Sequence, residues 1–319
     1  MVRCHDSVFL YLCDAIKHLI PAIIMKAALK YFFLYVLLVI AGFFALTAIY
    51  NIAGYFIPGF TLNDSDLFGG DSWLSSFTLM VASQLLPICV FLKRKYTNFS
   101  FSFGYRFGDG FSKKKLYLWV AVASVGCLLF DMMMIMIFPV VGEWETLIFG
   151  EDLSADTLNF IFIELISGCL LAPLVEEAIF RGAIERRLLE KDWNPWFAIV
   201  ISAIIFAIPH VSLYTLFLSC FGILVGWLYY RTRCIWPGIL VHAIYNSIIY
   251  VPGYINSFFA SSDFLSEDDE SLPLKISIPL LLVGIAILYY SVKQIALLTK
   301  DRTPIKVTDT QTENSLSSI

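Results

Sequence analysis

Runs of about twenty apolar residues recur along this chain, separated by short stretches that carry its charges, prolines and glycines. At 1.5 Å per residue, roughly twenty helical residues match the hydrocarbon thickness of a bilayer. The pattern predicts eight membrane-spanning helices, at about 31–53, 73–92, 116–141, 158–188, 195–210, 213–230, 235–251 and 274–298. Pro58-Gly59, Pro195, Pro237-Gly238, Pro252-Gly253 and Pro273 punctuate the boundaries. Residues 8–30 differ: Phe9, Leu12, Ile16, Leu19 and Ile23 alternate with Asp14, Lys17 and His18. That amphipathic stretch is too charged to span and is expected to lie along the cytoplasmic interface. It lacks a small-residue cleavage site after a short apolar core, so it is not read as a cleaved signal peptide. From about Lys300 the chain is rich in Ser, Thr and Asp without apolar periodicity, and a disordered tail is expected. The reading is an all-α, polytopic membrane bundle: an interfacial segment over 1–30, a transmembrane domain over 31–298 and a tail over 299–319.

Composition strengthens this. Of 319 residues, 59% are hydrophobic and 15% charged, with 28 Phe and 16 Tyr, against roughly 45–50% apolar and about 25% charged in a soluble globule. The net charge of −4 is less informative than where the charges fall. Basic loops (Lys93 to Lys115, Arg186 to Lys191, Arg231 and Arg233, Lys300 to Lys306) alternate with acidic ones (Asp64 to Asp71, Glu143 to Asp156, Asp263 to Glu270). The positive-inside rule then places both termini in the cytoplasm, which requires an even number of spans. The seven cysteines (Cys4, Cys13, Cys89, Cys127, Cys169, Cys220, Cys234) include no CxxC and mostly fall in apolar segments, so they read as small core hydrophobes. No internal repeat is visible, which weakens a transporter reading.

Against this apolar background, three short stretches hold groups that hydrocarbon should exclude: Glu176-Glu177-Ala-Ile-Phe-Arg181, Phe206-Ala-Ile-Pro-His210 and His242-Ala-Ile-Tyr-Asn246. An ionisable group at mid-membrane costs about 2.5–3.5 kcal/mol by insertion scales. Glu177 and Arg181 are i and i+4, in the favourable order for an ion pair. Glu176, about 100° away on an α-helix, has no such local partner, and burial is one way a carboxylate becomes a general base near neutral pH. His242 and Asn246 also share a helix face, either to join helices by hydrogen bonds or to donate to a developing oxyanion. Depth constrains the arrangement. Glu176 lies only about 8 Å inside the membrane if its helix ends at Arg181. The groups converge if that helix continues to about Leu188 and buries Arg181, with Pro173 available as a kink. Asp131 and Glu164 are further polar intrusions, better explained by a structural partner.

With these residues in hand, the chain resembles the CPBP family of CaaX proteases and bacteriocin-processing enzymes, also called Abi. The resemblance covers about 165–250, with a core of about 158–251. Its motifs EExxxR, FxxxH and HxxxN stand complete and in order as Glu176, Glu177 and Arg181; Phe206 and His210; His242 and Asn246. The resemblance implies intramembrane peptide-bond hydrolysis on membrane-associated peptides or prenylated C-termini. Glu176 and His210 would activate a water while His242 and Asn246 hold the oxyanion. It also implies a possible metal dependence: Glu176, His210 and His242 form a three-ligand N/O set suited to Zn²⁺. There is no HExxH and no GxSxG. Two other classes compete. One is a non-proteolytic family member acting in bacteriocin immunity or sensor-kinase regulation. The other is a channel or transporter using Asp131, Glu164, Glu176 and Glu177 as ion sites. The expected partners are the lipid bilayer and a membrane-bound peptide or protein, not nucleic acid, and the expected location is the plasma membrane if the source is bacterial.

Overall fold

The computed structural model describes residues 22–56, 73–137, 165–190, 194–208, 215–259 and 272–304. Within them each predicted apolar segment is helical. Helix α1 is Ala22–Phe56. Helix α2 is one run made of Trp73–Met80, the π-helical turn Val81–Leu85 and Leu86–Lys93. Helix α3 is Lys113–Ile137. Helix α4 runs through the π-helical Ile166–Leu171, Ala172–Glu176, the π-helical Glu177–Glu185 and Arg186–Leu189. Then come α5 (Pro195–Ala207), α6 (Thr215–Thr232), α7 (Trp236–Phe259) and α8 (Leu272–Leu298). The first helix starts at Ala22, inside the stretch read as amphipathic; residues 1–21, Glu164, the acidic loops and the tail beyond Pro304 lie outside the described residues.

Local sequence explains the breaks. Pro87 and Pro173 each stand in the first turn after a π-helical turn. A proline has no N–H to give to the carbonyl four residues back, so the preceding turn widens. At α5 the Asn194 side chain accepts from the Trp196 N–H at 3.0 Å with Pro195 behind it, a capped helix start.

The protein is a mostly helical membrane protein. Among the described residues, Ala28–Ala53 and Ile278–Leu298 are long and apolar enough to cross a bilayer, and Phe77–Lys93 and Pro195–Ala207 are shorter apolar helices. Phe33, Leu37 and Phe44 on α1, and Leu282, Val283 and Tyr289 on α8, are exposed, a surface suited to lipid rather than water. Helices α3 and α8 pack through glycines: a Cβ on Gly126 would fall 2.7 Å from the Leu288 nitrogen, and one on Gly284 2.9 Å from Leu129 Cβ. Small residues at such crossings let backbones approach without a driving force from water.

The all-α expectation needs one addition. Tyr105–Phe107 (β1) pairs antiparallel with Arg302–Pro304 (β2), Arg106 opposite Thr303. This ribbon ties the second basic loop, Lys93 to Lys115 (counting the N-terminal segment with Arg3, Lys17, Lys26 and Lys30 as the first), to the segment after α8. Further bonds tie the others in: Gly104 N–H to Thr232 O (3.1 Å), Arg186 Nη2 to Tyr96 O (2.8 Å) and Arg231 Nε to Thr299 Oγ1 (2.8 Å). The basic connections that the sequence distributes along the chain thus gather at one end of the bundle. The buried core draws on all eight helices, from Ala28 on α1 and Phe91 on α2 to Ile295 on α8, and on α4, α5 and α6 it encloses Ile179, Phe180, Ile184, Phe206, Phe221 and Val225.

Candidate active site

Helix α4 carries the first motif, and its helical turns run to Leu189, as convergence of the polar groups required. Arg181, Glu177 and Glu185 have no exposed surface at all. The Arg181 guanidinium is held three ways. Nη1 lies 3.2 Å from Glu177 Oε1, Nη2 donates to the Gly222 carbonyl at 3.0 Å, and the cation stands 4.7 Å from the Phe206 ring centroid. Phe206 thus serves its motif as a wall, packed edge-on against Phe180 at 5.3 Å and supplying a cation–π face. Gly222 is glycine for a steric reason: a Cβ there would lie 3.0 Å from Ala203 Cβ and 3.4 Å from Arg181 Nη2.

The third motif meets the first on a single imidazole. His242 Nδ1 lies 3.0 Å from Glu177 Oε1, and Nε2 lies 3.8 Å from Glu176 Oε2. The two glutamates, expected to face different neighbours, instead reach opposite edges of one ring; the α-helical spacing does not hold here because the π-helical run begins at Glu177. Phe221 at 4.9 Å and Phe206 at 5.8 Å close around the imidazole. Glu177 is a carboxylate that also faces Arg181, so it is the acceptor for an Nδ1–H, and Nε2 is the ring nitrogen turned toward Glu176. Glu176 is the more open carboxylate, its side chain 17% exposed against 0% for Glu177.

Asn246, one turn on, donates from Nδ2 to Gly168 O at 2.7 Å. It therefore pins α7 to the π-helical start of α4, and its other N–H has no hydrogen-bond partner among the described residues. Pro209 and His210 lie outside the described residues, so the second motif is represented here by Phe206 alone. Asp131 on α3 is buried and accepts from Tyr245 Oη at 3.1 Å, a structural partner of the kind expected for it. Of the cysteines, Cys127, Cys169 and Cys234 are buried thiols outside any disulfide, Cys127 lying 3.7 Å from Asp131 Oδ2, and Cys89 is an exposed thiol.

Two contributors escaped the sequence. The Gly222 carbonyl has no side-chain signature. Glu185 does have one: it stands four residues after Arg181, extending Glu177 and Arg181 into an i, i+4, i+8 row of charge on one buried face.

Residues 158–248 match the family model described as Type II CAAX prenyl endopeptidase Rce1-like. A Bacillus subtilis (strain 168) protein named "Putative membrane peptidase YdiL" is 27% identical, over 47% of this chain and 79% of that relative. No solved structure matches. With the three motifs, these matches define the class as an intramembrane protease in general outline. The same matches support a protein of the CPBP type, over the stretch that holds the motifs.

Among the described residues no three His, Cys, Asp or Glu side chains are placed to share a metal ion. Two donors do fit such a role chemically. Glu176 Oε2 and His242 Nε2 face one another, and a carboxylate on the far nitrogen is how ligating histidines are commonly oriented.

Proposed function

We propose that this protein is an endopeptidase of the CaaX prenyl protease type, hydrolysing a peptide bond in a membrane-associated peptide or protein, with prenylated C-termini as the reference substrate. The observation that carries the reading is the pairing of Glu176 Oε2 with His242 Nε2 at 3.8 Å, backed by a fully buried Glu177–Arg181 pair. Two groups at that spacing do not hydrogen-bond directly, but both can contact one water. Glu176, with its own carboxylate free of an ion-pair partner on α4, is the general base that takes the water's proton. The hydroxide attacks the scissile carbonyl, and the same carboxyl returns the proton to the departing amine. Glu177 and Arg181 are positioning residues: they fix the tautomer and tilt of His242 and touch no substrate.

His210 joins Glu176 in deprotonating the water, and Asn246 supplies its remaining N–H to the oxyanion. His242 acts in one of two ways. As an imidazolium it donates from Nε2 to the oxyanion; as the neutral ring it offers a lone pair to a divalent ion. Glu176, His210 and His242 are the residues that would hold such an ion, for instance Zn²⁺, which would supply Lewis acidity. The basic end of the bundle faces the cytoplasm, and the substrate bond enters from that side of the membrane, the plasma membrane if the source is bacterial.

The test uses the full chain in proteoliposomes with a fluorogenic peptide, prenylated or not. Glu176→Gln and His210→Ala are each expected to lose about 10²–10⁴-fold in rate, the range of a lost general acid–base group. Full activity in both variants rules out the protease reading. Equal rates on prenylated and unprenylated peptide remove the CaaX-type specificity while leaving the hydrolase. Mass spectrometry of peptides accumulating in Glu176→Gln membranes then identifies the natural substrate.

A further inference from the structure

The basic end of the bundle contains a cavity that the proposed reaction does not use. It measures about 100 Å³ and is lined by Thr97, Asn98, Ser100, Ser102, Arg186 and Arg233, among others. One water needs roughly 10–15 Å³ by the same measure, so the space admits a group of several heavy atoms. The charged side chains on its wall are both arginines; Glu185 and Glu190 do not line it. Glu190 approaches Arg186 Nε to 3.7 Å from outside, its side chain 43% exposed. Hydrogen-bonding capacity in the wall is left over. Thr97 is 3% exposed and its Oγ1 has no hydrogen-bond partner among the described residues, nor has Arg186 Nε. Arg233 gives its Nε to Tyr105 Oη, at 3.2 Å; its charge also acts on the buried Glu185, but no hydrogen bond from its Nη groups is seen among the described residues. A non-glycine residue at φ 50°, as Arg233 is, is uncommon and costs backbone energy; here that conformation sets Arg233 in the cavity wall.

We infer that this cavity binds a phosphate group, and that the phosphate is that of a membrane-lipid headgroup. Two guanidinium groups, hydroxyls and a carboxamide are the donors that bind phosphate oxygens, and arginine's fork suits them best. The lipid source follows from the surroundings. Phe101, 62% exposed, stacks on Trp236 at 4.1 Å and 8° beside the cavity, and Trp236 Nε1 donates to Phe99 O. Paired aromatics with one polar tip mark the headgroup level of a bilayer. The cavity also sits where α4 and α6 end and α7 begins. This inference is independent of the peptidase reading.

The test takes the full chain in a phosphate-free detergent and follows its melting temperature against three additives: phosphatidylglycerol, the phosphate-free digalactosyldiacylglycerol, and inorganic phosphate. Phosphatidylglycerol is expected to stabilise and the glycolipid not. Arg233→Asn is the main variant because asparagine tolerates the left-handed backbone. It should weaken the phosphatidylglycerol response about ten-fold, as expected for losing a charged hydrogen bond. Thr97→Val, which keeps the shape and removes the spare hydroxyl, is the second variant and should weaken the response by a smaller factor. An equal response to the glycolipid, or an undiminished response in both variants, overturns the inference. Stabilisation by inorganic phosphate alone, lost in the variants, retains the anion site and overturns the lipid source.

Discussion

Helix α4 carries two sets of arginine–glutamate pairs of the same chemistry in opposite surroundings. Glu177–Arg181 has both side chains at 0% exposure, while Arg187–Glu190, barely two turns on, has them at 42% and 43%. The distances are nearly equal, 3.2 and 3.1 Å. What differs is what else each charge can reach. The inner arginine gives Nη2 to the Gly222 carbonyl and its face to Phe206, while its Nε has no hydrogen-bond partner among the described residues, and the inner glutamate turns the same oxygen to His242. The outer residues have water. Contact distance therefore says little about the worth of an ion pair; the cost of leaving one partner alone says more.

The largest effect follows directly. Arg181→Ala strands a buried carboxylate and should destabilise the protein by about 3–5 kcal/mol, the usual penalty for half of a buried pair. Unfolding of the purified chain in detergent, followed by circular dichroism, measures it. A loss below about 1 kcal/mol would make the inner pair equivalent to the outer one. The double variant Glu177→Met, Arg181→Met sharpens the point. Replacing both charges with apolar groups of similar volume should recover most of the stability, since such swaps are often neutral. Peptidase activity should stay low, because His242 has lost the group on Nδ1.

Two substitutions separate stability from chemistry. Glu177→Gln keeps the shape and a hydrogen-bonding oxygen but removes the charge shared by Arg181 and His242; a fall of about 10–100-fold in rate is expected, as for other groups that orient a functional histidine. Glu176→Gln should cost more in rate and almost nothing in melting temperature, because its 3.8 Å contact with His242 Nε2 is too long for a hydrogen bond. A Glu176→Gln protein that unfolds as readily as Arg181→Ala would make Glu176 a structural residue.

The inner pair was half legible in the sequence. The i, i+4 spacing of Glu177 and Arg181 gave their contact, and apolar runs located the helices, because both signals are local. The bond from Glu177 to His242 spans 65 positions and depends on how α4 and α7 pack, which no spacing rule reports. The π-helical runs are equally silent: Pro173 hinted at a distortion, but nothing local announces that Glu177–Glu185 winds wider and swings both carboxylates to one ring. Asn246 shows the same limit: its motif left open a bond between helices or a donor to an oxyanion, and only packing shows that the Gly168 carbonyl takes one of its hydrogens. The sequence named the polar residues; packing decided which of them share a partner.

The smallest expected effect closes the comparison. Glu190→Gln removes the acid that serves both Arg186, at 3.7 Å, and Arg187, at 3.1 Å. Two partners for one carboxylate suggest a strong loss, yet all three side chains are at least 24% exposed, so water and salt already screen them. A change of about 0–1 kcal/mol is expected, shrinking further as salt is raised from 0.05 to about 0.5 M, as the Debye length falls. Arg186 still has the Tyr96 carbonyl at 2.8 Å, so the anchor between α4 and the second basic loop survives without Glu190. A loss above about 2 kcal/mol, insensitive to salt, would mean that this end of α4 is as dry as the seam around Arg181, and the contrast between the two ends of the helix would disappear.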